Sequence, residues 1–274
     1  MRSSLALHHK LGYLFGKANA YTNLGVLYHA QGRWKEAAES YERSDWIRRE
    51  IGYLIGRASN LKNLAYLRIA MGHHEQARKD LQMSLSISQR LGEDLDAIHA
   101  LMGLIHLAVI EEQFDEAERL LGEIRSHDLS SLGSSDLALI TSNEAIVSSH
   151  RRSPADGVHL ALNALKTAQA SGVRETEADC RLVLGMLHAR DGNFDAAEEV
   201  LRQSLSLVAS IGDPYRTGLT LLELGRAAQA PSDRQSSIEE AMRIFTQIGA
   251  AYDQDRALAA LESLESSPLV TESQ

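Results

Sequence analysis

The sequence has a single cysteine, Cys180, only four prolines, and aromatic side chains at 5% of its 274 residues. One thiol allows neither an internal disulfide nor the thiolate pair of a structural zinc site. The low proline count, with 44% hydrophobic residues, excludes collagen-like and disordered chains. No uncharged apolar run approaches the roughly 18 residues that a membrane helix needs. The opening Met1-Arg2-Ser3-Ser4 leads into His8-His9-Lys10 and lacks the apolar core of a secretion signal. Positive charge is short as well: 28 Lys and Arg stand against 37 Asp and Glu, a net charge of −9. The first half is balanced, and the whole excess follows Arg125, where 12 basic residues face 21 acidic ones. An acidic chain with few aromatics is poorly suited to phosphate backbones and to base stacking. The composition points to a cytoplasmic protein that binds neither nucleic acid nor membrane.

What is present is repetition. Ser4 to Gly12 (SLALHHKLG) returns as Ser44 to Gly52 (SDWIRREIG) and again as Ser84 to Gly92 (SLSISQRLG), each time 40 residues on. The closing apolar-or-small residue and Gly recur as Leu132-Gly133, Ser171-Gly172, Ile211-Gly212 and Ile248-Gly249. Gly25, Ala65, Ile105, Ala145, Gly185 and Gly225 form a second series in the same register. Ala37, Ala77, Ala117, Gly157 and Ala197 form a third, each preceded three residues earlier by Trp34, His74, Phe114, Pro154 or Phe194. A fixed period of this length is the signature of a repeat architecture.

Within each period the apolar residues fall at helical spacing, twice. Tyr21, Leu24, Leu27 and Tyr28 mark one helix, broken at Gln31-Gly32; Ala37, Ala38, Tyr41, Ser44 and Ile47 mark a second, ending at Gly52. Glycine just beyond a helix serves as its left-handed stop. Small residues at 25 and 37 let two antiparallel helices approach, with Trp34, Phe114 and Phe194 filling the turn. The expected units are approximately 13–52, 53–92, 93–133, 134–172, 173–212 and 213–249. Residues 3–12 read as a partial unit, the end of a second helix without its first. Residues 251–265 read as a closing helix and 266–274 as a flexible tail. The fourth unit lacks the glycine at its turn, having Arg151-Arg152-Ser153-Pro154, and its first helix is rich in Ser. The sixth has a polar turn at Pro231-Ser232-Asp233-Arg234 and a second helix expected to be short.

This pattern resembles the tetratricopeptide repeat superfamily. The matching residues are Leu24-Gly25, Tyr28, Gly32, Ala37, Tyr41 and Ser44, repeated as Leu64-Ala65, Gly72, Ala77, Leu81 and Ser84, and as Leu184-Gly185, Gly192, Phe194, Ala197, Leu201 and Ser204. The period of 40 exceeds the usual 34 and is similar to the longer variety in regulatory regions of bacterial signalling ATPases, transcription activators, kinases and cyclases. The resemblance implies an all-α, right-handed superhelix of about six helix-turn-helix repeats with end helices. A solenoid also exposes an apolar face wherever an end is uncapped. Coverage of the first end by a partner or by a longer chain, adequate capping by the short helix itself, and self-association through the open ends all remain open.

In this superfamily the first helix of each pair lines the concave face, which places Asn19, Asn23, Ser59, Lys62, Asn63, Tyr66, His99, His106 and Asn143 in the groove. Asn23, Asn63 and Asn143 share one column, interrupted by Gly103. Asparagine is a mediocre helix former, so its return in mid-helix calls for a reason. An amide both donates and accepts, and the resemblance implies that it pairs with the backbone of an extended peptide. The competing reading is that these amides tie helices together or face water. A full clamp for a C-terminal carboxylate lacks its third-repeat base, having His99 and Gly103 there. A negatively charged peptide would meet Lys17, Arg57, Lys62 and Arg68.

Chemistry of other kinds finds little support. The 11 histidines include adjacent pairs, His8-His9 and His73-His74, which diverge on a helix and do not share an ion. His99 and His106 lie two turns apart. Cys180 aligns with small or apolar residues and reads as buried. No phosphate-binding loop, nucleophile elbow or dinucleotide turn occurs, and the acidic residues, as in Glu111-Glu112 and Glu198-Glu199, read as solvated faces. The sequence therefore points to a non-catalytic module without metal or cofactor that binds a protein or peptide segment, or else to a sensor or autoinhibitory segment of a larger signalling protein that takes a small ligand or its own effector.

Overall fold

The computed structural model describes residues 2–266 of the chain. Among them the secondary structure is entirely helical: α1 Arg2–Ala30, α2 Trp34–Glu50, α3 Leu54–Ala70, α4 His74–Leu91, α5 Asp94–Ile110, α6 Phe114–Arg125, α7 Ser134–Arg151, α8 Pro154–Ser171, α9 Arg174–Arg190, α10 Phe194–Ile211, α11 Pro214–Ala227, α12 Pro231–Ile248 and α13 Ala251–Ser266, with a 3-10 turn at Leu129–Ser131. The chain divides into two compact units, Met1–Leu132 and Gly133–Gln274. The first holds three helical hairpins, α1/α2, α3/α4 and α5/α6. The second holds α7/α8, α9/α10 and α11/α12, followed by α13.

The glycine stops explain most of the boundaries. Gly32, Gly72 and Gly192 at hairpin tips, and Gly52, Gly92, Gly172, Gly212 and Gly249 at helix ends, all take positive φ, a conformation with no Cβ penalty for glycine. At the tips the chain closes on itself through Arg33 N–H to the Tyr28 carbonyl (2.8 Å), His73 to Arg68 (2.7 Å) and Asn193 to His188 (2.9 Å). The third tip makes the same closure, Gln113 to Ala108 at 2.7 Å, with no glycine available. Glu112 is forced to φ +56° there.

The helices of a hairpin meet over the small residues. A Cβ at Gly25 would come within 2.6 Å of the Tyr41 ring, and one at Gly185 within 2.5 Å of Leu201. The recurrent serine is a fastener. Ser44, Ser84 and Ser204, all buried, donate to the backbone carbonyls of Ala18, Ala58 and Ala178 at 2.9, 2.9 and 3.2 Å. Each pins the second helix of a hairpin to the first. Cys180 is fully buried, and burial pushes its thiol up to about 12.

Several expectations need correction. Residues 4–12 do not end a separate helix, because α1 runs unbroken from Arg2 to Ala30. Glycine permits a stop without imposing one, and at Gly52 the stop is fixed by the docking of α2 and α3 on either side. In the sixth hairpin the short helix is the first, α11 with 14 residues, whereas α12 has 18. Pro231 does not lie in the turn but opens α12, as Pro154 opens α8, because the first helical position needs no N–H. Phe194 is exposed, unlike buried Trp34, so it does not fill its turn. The acidic residues are not all solvated: Glu223 and Asp253 are buried and bridged by Arg256 at 2.7 Å to each, with the Tyr215 hydroxyl donating to Asp253 at 2.8 Å. This network fastens α13 to α11. Of the expected tail 266–274, all but Ser266 lies outside the described residues.

α1 is also unlike its counterparts on one side. Leu27 is 50% exposed, whereas Leu67 and Leu107, one and two repeats on, are fully buried. In the later hairpins the preceding second helix covers this position; α1 has no such neighbour among the described residues.

Candidate peptide-binding face

Within the first unit, α1, α3 and α5 repeat the same surface three times. Phe15 in the middle of α1, and Ile55 and Leu95 at the starts of α3 and α5, stand 40 residues apart and are 41, 44 and 49% exposed. One turn on come Asn19, Ser59 and His99, all half-buried, then Asn23, Asn63 and Gly103, and finally Val26, Tyr66 and His106, all exposed. A row of exposed apolar groups thus borders a polar middle.

The polar middle is largely bonded within itself. Asp96 of α5 accepts from Lys62 Nζ at 2.9 Å and from the Ser59 hydroxyl at 3.0 Å. Lys62 also donates to His99 Nδ1 at 3.2 Å, and the Tyr66 hydroxyl reaches the His99 carbonyl at 3.3 Å. Burial works to raise the Asp96 carboxyl, but the hydrogen bond and charge of Lys62 and the Ser59 hydroxyl outweigh it, so its pKa lies below the ordinary value. Four of the expected groove residues, Ser59, Lys62, Tyr66 and His99, therefore meet in one cluster joining α3 to α5.

The other expected positions differ among themselves. Asn19 Oδ1 accepts from Arg48 at 2.9 Å. Asn143 lies in the second unit, and its amide bonds back to the Leu139 carbonyl of its own helix at 2.9 Å. Gly103 interrupts the amide column for a steric reason, since a Cβ there would sit 2.7 Å from Leu81. Asn23 and Asn63 make no hydrogen bond to another described residue and keep both donor and acceptor available.

The expected cations are mostly neutralised. Lys62 is held by Asp96, Arg57 by Asp45 at 2.9 Å, and Arg68 by Glu42 at 2.6 Å together with Asp80. Lys17 lies over the Tyr21 ring, 5.9 Å from its centre, on the border of an open cleft of about 440 Å³ lined also by Glu39, Glu42, Arg43, Trp46 and Ile47. Beneath the face is a buried polar layer that the 40-residue columns do not announce. Asn60, fully buried where Ala20 and Ala100 stand in neighbouring repeats, donates to the Tyr41 carbonyl at 2.8 Å and accepts from Thr22 at 2.9 Å. Beside it lies Arg48, whose pKa burial lowers from the arginine value. An amide in a column otherwise of small or apolar residues is the available signal. Among the described residues no three His, Cys, Asp or Glu side chains come together as a metal site, and no helix is long and apolar enough to cross a membrane.

Tetratricopeptide repeat models match residues 20–50, the end of α1 with α2, and residues 178–203, most of α9 with the first half of α10. No curated protein matches the chain in sequence. Among solved structures it is similar to a Rap protein complexed with competence and sporulation factor, at 12% identity and TM-score 0.67, covering 92% of this chain and 77% of that one. It is similar to PlcR of Bacillus thuringiensis in complex with the peptide PapR7 and DNA, at 11% identity and TM-score 0.60, covering 85% and 84%. A third likeness is to a signal transduction ATPase with numerous domains from Pyrococcus horikoshii, which carries a tetratricopeptide repeat sensor. There the identity is 15% and the TM-score 0.58, over 89% of this chain and 37% of that one. At such identities the likeness concerns the fold. Matched at two separate hairpins and alike in fold to these three proteins, the chain is built of tetratricopeptide-type repeats.

Proposed function

We propose that the chain is a non-catalytic scaffold that holds an extended peptide segment across α1, α3 and α5. The observation that carries this reading is the pair of unengaged amides, Asn23 and Asn63, one repeat apart on a face bordered by exposed Phe15, Ile55 and Leu95. Amides at a fixed spacing suit the peptide backbone, which offers an N–H and a carbonyl at every residue. The apolar border suits its side chains, a division of labour common to sites that recognise extended peptides. The folds of PlcR and of the Rap protein, whose structures hold a peptide and a sporulation factor, lend support. His106 extends the candidate set within this unit, and Asn143 is the corresponding amide of the second unit, taken by itself. A display library of random nine-residue peptides, panned on the whole chain, tests the reading. Recovery of a related set of sequences, competed by one another, is expected; recovery no better than on a blank surface would refute it.

A second reading makes the chain the sensing segment of a larger signalling protein working in the cytoplasm. It is favoured by the likeness to the repeat sensor of the archaeal ATPase, of which this chain spans little more than a third, and by the uncovered side of α1 at Leu27. The two readings share the face and differ in what its occupancy controls.

A further inference from the structure

Arg48 is 5% exposed, wedged among α1, α2 and α3, and has no ion-pair partner among the described residues. Its acceptors are all neutral: the Gly56 carbonyl, Asn19 Oδ1 at 2.9 Å and Thr22 Oγ1 at 3.2 Å. Its Nε is buried without an acceptor. Asp45, the carboxylate that acts on it electrostatically, is already bonded to Arg57. A buried charge without a countercharge is costly, and the repeat does not require it, because Ser88, Ala168 and Val208 occupy the corresponding places in other hairpins.

The consequence falls on Asn19. A guanidinium only donates, so the Asn19 oxygen is committed to Arg48 and the amide is fixed in one orientation. Its NH₂ is left over, half-exposed on the peptide face and bonded to no other described residue. This donor is polarised by the cation behind it. The neighbouring cations Lys62, Arg57 and Arg68 are cancelled by carboxylates, so apart from Lys17, which lies over the Tyr21 ring, the positive charge left to this face lies under α1.

From this geometry we infer that the face takes a peptide carboxylate against Asn19 Nδ2, with Arg48 as the buried countercharge that selects it. The inference rests on the peptide-binding reading and adds the chemistry of the ligand and the end of the face at which it docks. The carboxylate belongs either to an acidic side chain or to the peptide C-terminus; both present the same pair of acceptor oxygens.

The probes are synthetic nine-residue peptides recovered by panning, each prepared as the free acid, as the C-terminal amide, and with every Asp or Glu changed to Asn or Gln. Fluorescence anisotropy with the whole chain reads their affinities. Neutralising one of the two kinds of carboxylate is expected to weaken binding about tenfold or more, the range of a hydrogen bond to a charged group, and which kind it is names the source. Arg48→Met is expected to melt no lower than wild type while binding acid and neutral forms alike. Asn19→Asp supplies the missing countercharge and removes the donor, so it is expected to melt higher and to lose the preference; it also serves if Arg48→Met fails to fold. Equal binding of all forms by wild type overturns the inference and leaves the peptide reading standing, as does a preference retained in Asn19→Asp. Recovery of no peptide at all overturns both.

Discussion

The ring of Tyr41 fills the space in front of Gly25, so that a Cβ on Gly25 would lie 2.6, 2.7 and 2.9 Å from three of its carbons. Tyr41 is 1% exposed and has nowhere to retreat. Gly25→Ala gains about 1 kcal/mol in helix propensity, but overpacking a closed core costs about 1–3 kcal/mol. A net loss of stability is expected in urea unfolding. Adding Tyr41→Leu reproduces the pair found one repeat later, Ala65 with Leu81, both fully buried, and is expected to recover most of the loss. A double variant as unstable as the single one would show that the repeats do not share this packing.

At the third hairpin tip the fold imposes its turn on an unsuited residue. Glu112 sits at φ +56° where Gly32, Gly72 and Gly192 sit at +71°, +80° and +80°. Glu112→Gly is expected to stabilise the chain by about 0.5–1 kcal/mol, the left-handed strain relieved less the added freedom of the unfolded state. The same change at Glu111, which is ion-paired to Arg78 at 2.6 Å, is expected to give no gain. Thermal melts of the two variants check the difference.

Lys62 and Asp96 join the second hairpin to the third, and their bond has a pH signature. Because the folded chain lowers the Asp96 pKa, the bond adds stability above the ordinary value of 3.8 and loses it as the pH falls through the lower value of the folded state. Asp96→Asn is expected to cost about 1 kcal/mol at pH 7, with the deficit relative to wild type shrinking below about pH 4. Urea titrations of both proteins between pH 7 and pH 3 measure it. A deficit that stays constant throughout would mean that the carboxylate's charge contributes nothing.

The recurrences at 40 residues gave away the helices, their stops and the small residues between them, because each depends on a local rule or on a short approach repeated in every hairpin. They also group the positions proposed for the face, since a column of like residues in a repeat shares one environment. The partners of the long polar side chains stayed hidden. Lys62 meets Asp96, Arg216 meets Asp179 at 2.7 Å and Arg256 meets Glu223 at 2.7 Å. Each pair bridges a first helix to the next first helix or, at Arg256, to α13, across 33–37 residues, a separation no helical period signals. A lysine that looked free for a ligand was therefore spoken for, while Arg48, on a second helix, carried the unmatched charge. Asn60 stays hidden for a related reason: its column is otherwise small or apolar, and the amide shows its purpose only beside the Tyr41 carbonyl. The break expected at Gly12 failed because glycine at a boundary is permissive, and the helices docking around it decide.

The peptide binding proposed for this face depends on Asn23 and Asn63 acting together on a bound backbone. The direct measurement is calorimetric titration of a recovered peptide into wild type and into Asn23→Ala/Asn63→Ala, with a thermal melt of each protein. Two lost amide contacts are expected to weaken binding by about 1–3 kcal/mol in total, with the melting temperature unchanged because neither side chain bonds to another described residue. Unchanged affinity in the double variant, with its fold intact, would contradict the assignment of the face.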